Sequence, residues 1–322
     1  MTATAPHDSR GPHDADAHRN PHAASSPVSE SVVRATPDGP TAPDEPVVVQ
    51  DPVVVQERVT IEDRVTVDDL RVALARGEFT LLYQPAFDLR RGTFAGVEAL
   101  LRWRHPTRGL LTPPDFVDAL ATSGLIVPVG RWVLDEVTRQ GARWHDRGHR
   151  FALALNVARA QVASPTFVDE VGNALRTHAL APAALTLEFA SATLEELDEA
   201  ARTALLALGV RLGVDDVVPG VTNVMSLVAR GASVLKLARD AVTDPSRGAA
   251  IAETVSALST RDVRVVALGV ESPATARRLE GALDGTLDGA VEGQGFLYAR
   301  PLAVDELDEL LEDFAIFSGE PL

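Results

Sequence analysis

From Val67 onward, short apolar runs alternate with longer stretches in which apolar residues recur three and four positions apart. The short runs are rich in β-branched and aromatic residues and predict β-strands, whereas the longer stretches predict amphipathic helices. The predicted strands are Phe79–Gln84, Phe94–Leu101, Phe151–Val157, Leu185–Phe189, Val210–Val214, Val234–Leu237, Val263–Leu268 and Gly295–Tyr298. The predicted helices include Val129–Trp144, Leu194–Leu208, Ala249–Leu258 and Ala303–Phe314.

The order and number of these elements indicate an α/β fold. Eight strands that alternate with helices over about 250 residues match the size of a (β/α)8 barrel. A doubly wound open sheet is the alternative, but no glycine-rich phosphate-binding motif opens any of the predicted helices. We therefore predict a closed TIM-like barrel, in which functional residues gather at the carboxyl ends of the strands.

Residues 1–66 differ from the rest of the chain. They are rich in Pro, Ala, Asp, Ser and His and lack hydrophobic periodicity, so they cannot bury enough apolar area to offset the entropy of ordering. We predict a disordered tail and linker over residues 1–66 and a folded domain over residues 67–317. The duplicated segment Pro46–Glu57 is interpreted as part of the linker, with strand addition to a partner as the alternative.

The composition and net charge of the chain exclude some kinds of metal site and disfavour some kinds of ligand. The chain has no cysteine and a formal net charge of -16, which excludes thiolate metal sites and disfavours binding of long nucleic acids. No apolar run reaches the length of about 18–20 residues that a membrane helix needs. The N-terminus also lacks a charged-then-apolar signal pattern, and we expect a cytoplasmic protein.

Polar residues stand at or beside the ends of the predicted strands. They are Glu98, Asn156, Glu188, Asp215, Asp216, Lys236 and Gln294. Burying unpaired carboxylates and amides costs several kcal/mol. A role as a helix cap or turn residue explains any one of these polar positions, but it explains the presence of the whole set poorly. Oxygen ligands without cysteine favour Mg2+ or Mn2+, and adjacent carboxylates suit a two-metal site for phosphodiester cleavage. Lys236 is the only lysine of the chain.

Eight short motifs contain or flank these positions, between Phe79 and Leu302. In chain order they are Tyr83-Gln84-Pro85, Val97-Glu98-Ala99-Leu100-Leu101-Arg102-Trp103, Asn156-Val157, Leu187-Glu188, Val214-Asp215-Asp216, Leu235-Lys236-Leu237, Gly269-Val270-Glu271 and Gln294-Gly295-Phe296-Leu297. Each motif alone is weakly specific. Together, and in this order, they resemble the EAL domain family of cyclic di-GMP phosphodiesterases.

The resemblance implies a barrel of the EAL type that hydrolyses cyclic di-GMP to linear pGpG with two Mg2+ or Mn2+ ions. The first-metal ligands that it implies are Glu98, Asn156, Glu188 and Asp215, and the second-metal ligands that it implies are Asp215 and Asp216. The catalytic residues that it implies are Glu98, Asp216 and Lys236, the last of which orients the hydrolytic water. The residues implied to bind the ligand are Arg102, which holds a phosphate, Gln84 and Gln294.

Among the departures from the family pattern, three positions have lost a carboxylate. Leu268 stands where the pattern has a glutamate that binds the second metal and is a candidate base. Ser191 replaces a glutamate that braces the loop after Asp215-Asp216, and Ala238 replaces the aspartate that follows the lysine. These changes predict a weakened or single metal site.

The departures predict a degenerate phosphodiesterase that binds cyclic di-GMP, or regulates through protein partners, with little or no hydrolysis. An active phosphodiesterase, in which Glu271 or another carboxylate replaces the missing ligand, is the first alternative. A protein-interaction module that has lost the ligand is the second. Relatives in this family often form homodimers, so a homodimer is also considered.

Overall fold

The computed structural model describes residues 65–283 and 291–318. Except for its last two residues, the predicted tail lies outside these ranges, and so does the duplicated segment Pro46–Glu57. The strands are β1 (Phe79–Asp88), β2 (Phe94–His105), β3 (Gly109–Leu111), β4 (Ala152–Asn156), β5 (Leu185–Ala190), β6 (Arg211–Val217), β7 (Ala232–Leu237), β8 (Arg264–Leu268) and β9 (Val291–Gln294).

Helices connect and surround these strands. The α-helices are α1 (Val67–Arg76), α2 (Val117–Ser123), α3 (Ile126–Asp146), α4 (Arg159–Val162), α5 (Phe167–His178), α6 (Ser191–Glu196), α7 (Glu199–Leu208), α8 (Val224–Ala229), α9 (Arg239–Thr243), α10 (Gly248–Leu258), α11 (Pro273–Leu283) and α12 (Val304–Ser318). Short 3-10 helices lie at Pro113–Asp115, Pro182–Ala184 and Pro245–Arg247.

The strands form one sheet that closes into a barrel. The strand order is β1-β9-β8-β7-β6-β5-β4-β2-β3, and β1 also pairs with β2, so eight strands complete the ring and β3 extends β2. The predicted TIM-like barrel is therefore confirmed. We call the carboxyl ends of its parallel strands the rim and their amino ends the base.

One strand breaks the expected alternation of strands and helices. β1 runs antiparallel to both of its neighbours, β2 and β9. It joins β2 through a short turn rather than a helix, in which Asp88 Oδ1 accepts hydrogen bonds from the backbone N–H groups of Arg90 and Arg91 at 2.9 and 2.8 Å. Gly92 has a φ of 64° there, a conformation that favours glycine. A turn this short can connect only antiparallel strands.

The last strand lies four residues earlier than predicted. The structure places β9 at Val291–Gln294, and the predicted strand Gly295–Tyr298 is a turn. The prediction was wrong because it followed apolar residues, whereas β9 carries two polar side chains inside the barrel. The chain turns at Gly295, where an added Cβ would lie 2.2 Å from the backbone oxygen of Val270.

The predicted helix Leu194–Leu208 is two helices, α6 and α7. The break falls at Leu197 and Asp198, and the Asp198 carboxylate accepts hydrogen bonds from the backbone N–H groups of Ala200 and Ala201 at 3.0 and 3.2 Å. This N-cap satisfies two amide groups that have no partner within the helix. The other three predicted helices match α3, α10 and α12 to within a few residues at either end.

The strands have two different faces. Outward-facing residues such as Leu153, Leu187 and Leu235 are fully or almost fully buried beneath the helices. The inward face is lined by small and polar residues around a void of about 40 Å3. The apolar core therefore lies between sheet and helices, and the barrel interior is left for polar chemistry.

Helix α3 packs closely on the sheet through a glycine. A Cβ added at Gly141 would lie 2.8 Å from the Leu153 side chain. Among the described residues, no single helix is long and apolar enough to cross a membrane. Helices α2 and α3 reach that length and composition only together, and they are bent by 117° relative to each other.

The Tyr83→Phe substitution is expected to raise the free energy of unfolding by about 1 kcal/mol, since a buried hydroxyl without a partner destabilises the fold. The Tyr83 hydroxyl has no hydrogen-bond partner among the described residues, and the residue is 1 % exposed. Its ring packs edge-on against Trp144, and the ring centroids are 4.9 Å apart. Urea unfolding measures the change.

The matched control is Tyr298→Phe, which removes a hydroxyl from a partly exposed tyrosine and is expected to leave stability unchanged. A loss of stability in Tyr83→Phe alone would show that the Tyr83 hydroxyl is hydrogen-bonded in solution.

Candidate active site

The predicted site residues gather inside the rim half of the barrel. Asn156 and Gln294 are the last residues of β4 and β9, and Lys236 is the next-to-last residue of β7. Strand register places Asn156 opposite Glu188. Glu98 lies in the middle of β2 rather than at its end, because β2 continues beyond its pairing with β4 and remains paired there with β1 and β3.

A lysine holds two carboxylates together at the centre. Lys236 Nζ donates to Glu98 Oε2 at 2.7 Å and to Glu188 Oε2 at 2.8 Å. Gln294 Nε2 donates to Glu98 Oε2 at 2.9 Å, and Asn156 Nδ2 donates to Glu98 Oε1 at 2.7 Å. Lys236 is 2 % and Glu188 3 % exposed, so water screens these ionic contacts weakly. We call these five residues the rim network.

The two carboxylates of the rim network differ in proton affinity. Burial alone would raise the pKa of Glu98, but the Lys236 ammonium and the hydrogen bonds from Gln294 and Asn156 lower this pKa below its usual value. Burial raises the pKa of Glu188 above its usual value, Lys236 opposes this rise, and the nearby charge of Glu98 adds to it. The two glutamates keep the Lys236 pKa above its usual value despite burial, so the ammonium stays charged.

Asp215 and Asp216 form an irregularity in β6. The register between β6 and β7 shifts between Val214 and Val217, which places both aspartates in a bulge. Asp216 has a φ of 54°, which is uncommon for a residue other than glycine. Its backbone N–H donates to Asp215 Oδ1 at 2.9 Å. Burial raises the pKa of Asp215, whereas Asp216 is exposed.

The two other predicted ligand-binding residues lie outside the rim network. Arg102 is half-buried, and its Nη1 donates to the Leu101 carbonyl at 2.8 Å. Gln84 stands opposite Glu98 in the β1–β2 register, and its Nε2 donates to the Ala299 carbonyl at 3.4 Å. Both residues therefore bond to backbone carbonyls at the periphery of the site.

The departures from the family pattern also have defined positions. Leu268 is the last residue of β8 and stands opposite Gln294. Ser191 begins α6, and Ala238 is the N-cap residue of α9 without a side-chain hydrogen bond. Glu271, the alternative ligand, is bound by Arg239 Nη2 at 2.7 Å.

Oxygen atoms suited to a divalent cation lie within the rim network and beside it. Asn156 Oδ1 and the second carboxylate oxygens of Glu188 and Asp215 accept no hydrogen bond from the described residues. Such oxygens are the ligands that Mg2+ and Mn2+ prefer, so the chemistry of the first predicted metal site fits one ion.

The arrangement is not a ready-made metal site. Within residues 65–283 and 291–318, no three His, Asp or Glu side chains are gathered closely enough to hold a metal, because Lys236 lies between Glu98 and Glu188. The second predicted site fits less well, since Leu268 offers no lone pair. The metal-binding roles therefore stay predictions.

The sequence analysis missed a second ion pair inside the barrel. Arg264 Nη1 lies 3.2 Å from Glu292 Oε1, and the side chains of Arg264 and Glu292 are 22 % and 8 % exposed. Glu292 and Gln294 are two residues apart and point to the same face of β9. That spacing was the available signal, but the misplaced last strand hid it.

Comparisons with known proteins agree with this geometry. The family model described as EAL domain matches residues 67–301. The bifunctional diguanylate cyclase/cyclic di-GMP phosphodiesterase MucR of Pseudomonas aeruginosa is 39% identical over 247 residues, which cover 74% of this chain and 35% of MucR. The cyclic di-GMP phosphodiesterase PdeR of Escherichia coli is 32% identical over 241 residues, or 73% of this chain and 35% of PdeR. The chain thus spans about a third of the length of these relatives.

Solved structures share the fold. The PaMucR phosphodiesterase in complex with c-di-GMP has a TM-score of 0.68 and 37% identity, over 74% of this chain and 98% of that chain. The EAL domain of FimX from Pseudomonas aeruginosa, bound to c-di-GMP, has a TM-score of 0.65 over 74% of this chain and 97% of that chain. Its identity of 22% supports the fold alone.

The Lys236→Met substitution is expected to lower the free energy of unfolding at neutral pH by about 3–5 kcal/mol, because it leaves two buried carboxylates without their counter-ion. In this variant the folded-state pKa values of Glu98 and Glu188 lie above their unfolded values. The destabilisation therefore grows as the pH rises above the unfolded pKa values of the two glutamates. It disappears below those values, where both carboxylates are protonated in the folded and the unfolded state. Urea unfolding of wild type and variant across pH measures this.

The matched control is the double variant Lys236→Met/Glu188→Gln, which removes one of the two charges and is expected to recover part of the loss. Equal destabilisation of the single variant at every pH would contradict the ionic role of Lys236.

Proposed function

The chain belongs to the EAL domain family, and from this premise we propose that its barrel binds cyclic di-GMP with the help of a divalent metal but hydrolyses it slowly or not at all. It then acts as a receptor or regulatory domain in cyclic di-GMP signalling. The observation that carries this proposal is the contrast between an intact rim network and an apolar Leu268 at the end of β8.

Leu268 weakens hydrolysis more than binding. Its side chain has no lone pair to bind a second cation or to accept a proton from water. Removal of a residue that only supports a metal ligand already costs about 10–100-fold in affinity or activity, and loss of a direct ligand costs more. Glu271 does not compensate, because Arg239 engages its carboxylate at 2.7 Å.

The residues for binding remain in place. Glu98, Asn156, Glu188 and Asp215 supply oxygen ligands for one Mg2+ or Mn2+ ion, which when bound neutralises part of the phosphodiester charge. Arg102 lies at the rim and carries the guanidinium proposed to hold a ligand phosphate, a group that such cations bind with good geometry.

For catalysis the remaining machinery is incomplete. In this proposal Lys236 orients a water molecule beside Glu98, whose carboxylate also accepts a hydrogen bond from Gln294. Asp216 stands at the bulge with an exposed carboxylate. No carboxylate on β8 faces these residues, since Leu268 ends that strand.

Relatives support the choice of ligand. PaMucR is a phosphodiesterase in complex with c-di-GMP, and it shares 37% of its sequence with this chain. Because the ligand is a bacterial nucleotide signal, we propose that the domain works in the cytoplasm. A protein partner and a homodimer are part of the proposed regulatory role, and size-exclusion chromatography with and without ligand tests the homodimer.

The Leu268→Glu substitution is expected to raise the hydrolysis of cyclic di-GMP by about 10–100-fold, because it supplies the missing carboxylate. The wild-type protein is expected to turn over more slowly than about 1 per second, the lower end of common enzyme rates. Chromatographic detection of linear pGpG in the presence of Mn2+ measures both rates.

Leu268→Gln is the matched control, since it adds polarity without charge. Wild-type turnover at common enzyme rates, unchanged by Leu268→Glu, would refute the proposal and favour the active phosphodiesterase. Absence of cyclic di-GMP binding by calorimetry with Mn2+ present would favour the interaction module.

One Mn2+ ion is expected to bind per chain in the wild type and two in Leu268→Glu, since only the substituted protein has a third carboxylate for the second site. Calorimetric titration of Mn2+ into metal-free protein gives the stoichiometry without depending on activity. Glu98→Gln, which removes a first-site charge, is expected to weaken the single wild-type site. Two equivalent ions in the wild type would contradict this prediction.

A further inference from the structure

A second cleft lies at the base of the barrel, at the opposite end from the rim network. It has a volume of about 540 Å3 and is lined by residues that include Arg150, Arg211 and Arg264. Arg211 and Arg264 are the first residues of β6 and β8, and Arg150 lies two residues before β4. We call this cleft the base cleft. Its distance from the rim separates it from the proposed cyclic di-GMP site.

The base cleft brings together three arginines, of which Arg264 is paired with an acidic side chain and the other two are not. The guanidinium groups of Arg150 and Arg211 form no hydrogen bond or ion pair with any described residue. Burial lowers the pKa of Arg211, and the like charge of Arg264 lowers it further, whereas the charges of Asp262 and Glu292 act in the opposite direction. Arg264 bonds to Glu292 at 3.2 Å through Nη1, but its buried Nε has no partner in the described part of the chain.

Negative charge is sparse in this cleft. Asp262 is the one acidic side chain among the described residues that line it, and it is exposed. The chain as a whole carries a net charge of -16, so three neighbouring arginines stand out against an acidic protein. Arg150 and Arg211 have no ion-pair partner among the described residues, and an anion bound beside their guanidinium groups would lower the repulsion among the three positive charges.

We propose that the base cleft binds a small molecule through a phosphate group. Planar guanidinium groups bind phosphate oxygens with paired, charge-assisted hydrogen bonds. The small side chains of Ala95 and Ala184 leave room beside the arginines. The volume of the base cleft falls in the range of about 300–1,000 Å3 that is usual for small-molecule sites. Long nucleic acids are excluded by the net charge of the chain. The inference does not depend on the proposed function at the rim.

Helix dipoles offer a purely structural role for these arginines. Arg150, Arg211 and Arg264 follow the carboxyl ends of α3, α7 and α10, where a helix dipole favours cations. That role predicts no affinity for phosphate and a loss of stability when the charges are removed. Ligand binding and stability therefore separate the two explanations.

The test compares two double variants of the full chain that lose the same charge. Arg150→Gln/Arg211→Gln changes the base cleft and leaves the Arg264–Glu292 pair intact. Arg76→Gln/Arg277→Gln changes two exposed arginines that do not line the cleft. Calorimetry and 31P NMR follow the binding of inorganic phosphate and of GMP at low ionic strength, with EDTA present so that no metal at the rim contributes.

We expect phosphate to bind the wild type and the Arg76/Arg277 control equally. Binding to the Arg150/Arg211 variant is expected to be weaker by about ten-fold or more, because two charge-assisted contacts are lost. Tighter binding of GMP than of inorganic phosphate identifies a phosphomonoester as the ligand class, and equal binding identifies free phosphate. Added salt should weaken binding in each case.

Two results would overturn the proposal: no binding of either anion by the wild type at millimolar concentration, or equal affinity in both double variants. Thermal unfolding checks that the variants fold. If Arg150→Gln/Arg211→Gln does not fold, the single variant Arg150→Gln replaces it, since Arg150 is exposed and its loss disturbs no packing. An unchanged phosphate affinity in that variant would likewise reject the role of Arg150.

Discussion

The contact on which the candidate site depends is the ion pairing of Lys236 with Glu98 and Glu188 inside the barrel. Removing three charges from water is costly unless each finds partners at short distance. Gln294 and Asn156 supply those partners for Glu98. The arrangement requires that β2, β4, β5, β7 and β9 present these side chains to the same interior layer, so strand register and site chemistry are set together.

Much of this site was predictable because its residues recur at strand ends in a fixed order. The barrel followed from eight apolar runs separated by helical periodicity. The error in the last strand has a clear physical origin: polar side chains inside the barrel interrupt the apolar pattern that identifies a strand. β9 was missed for that reason, and with it the Arg264–Glu292 pair. The antiparallel course of β1 depends on a turn at Asp88 that hydrophobic periodicity does not report.

The departures from the family pattern act at different distances from the rim network. Leu268 changes an atom that would face the reacting groups, whereas Ser191 and Ala238 change the ends of neighbouring helices. The Arg239–Glu271 ion pair fixes the one carboxylate that lies close along the chain to Leu268. The proposed function therefore assigns ligand binding and turnover to sets of residues that only partly overlap.

The antiparallel direction of β1 also determines at which end of the barrel the first strand begins. In a barrel made only of parallel strands, the first strand starts at the base. Here Phe79, the first residue of β1, pairs with Trp103 beyond Glu98 on β2, and α1 ends three residues before Phe79. The first residue of β1 thus lies on the side where Arg102 and the bulge at Asp216 lie. A change at the start of β1 would act close to the rim, without being transmitted along the length of the barrel.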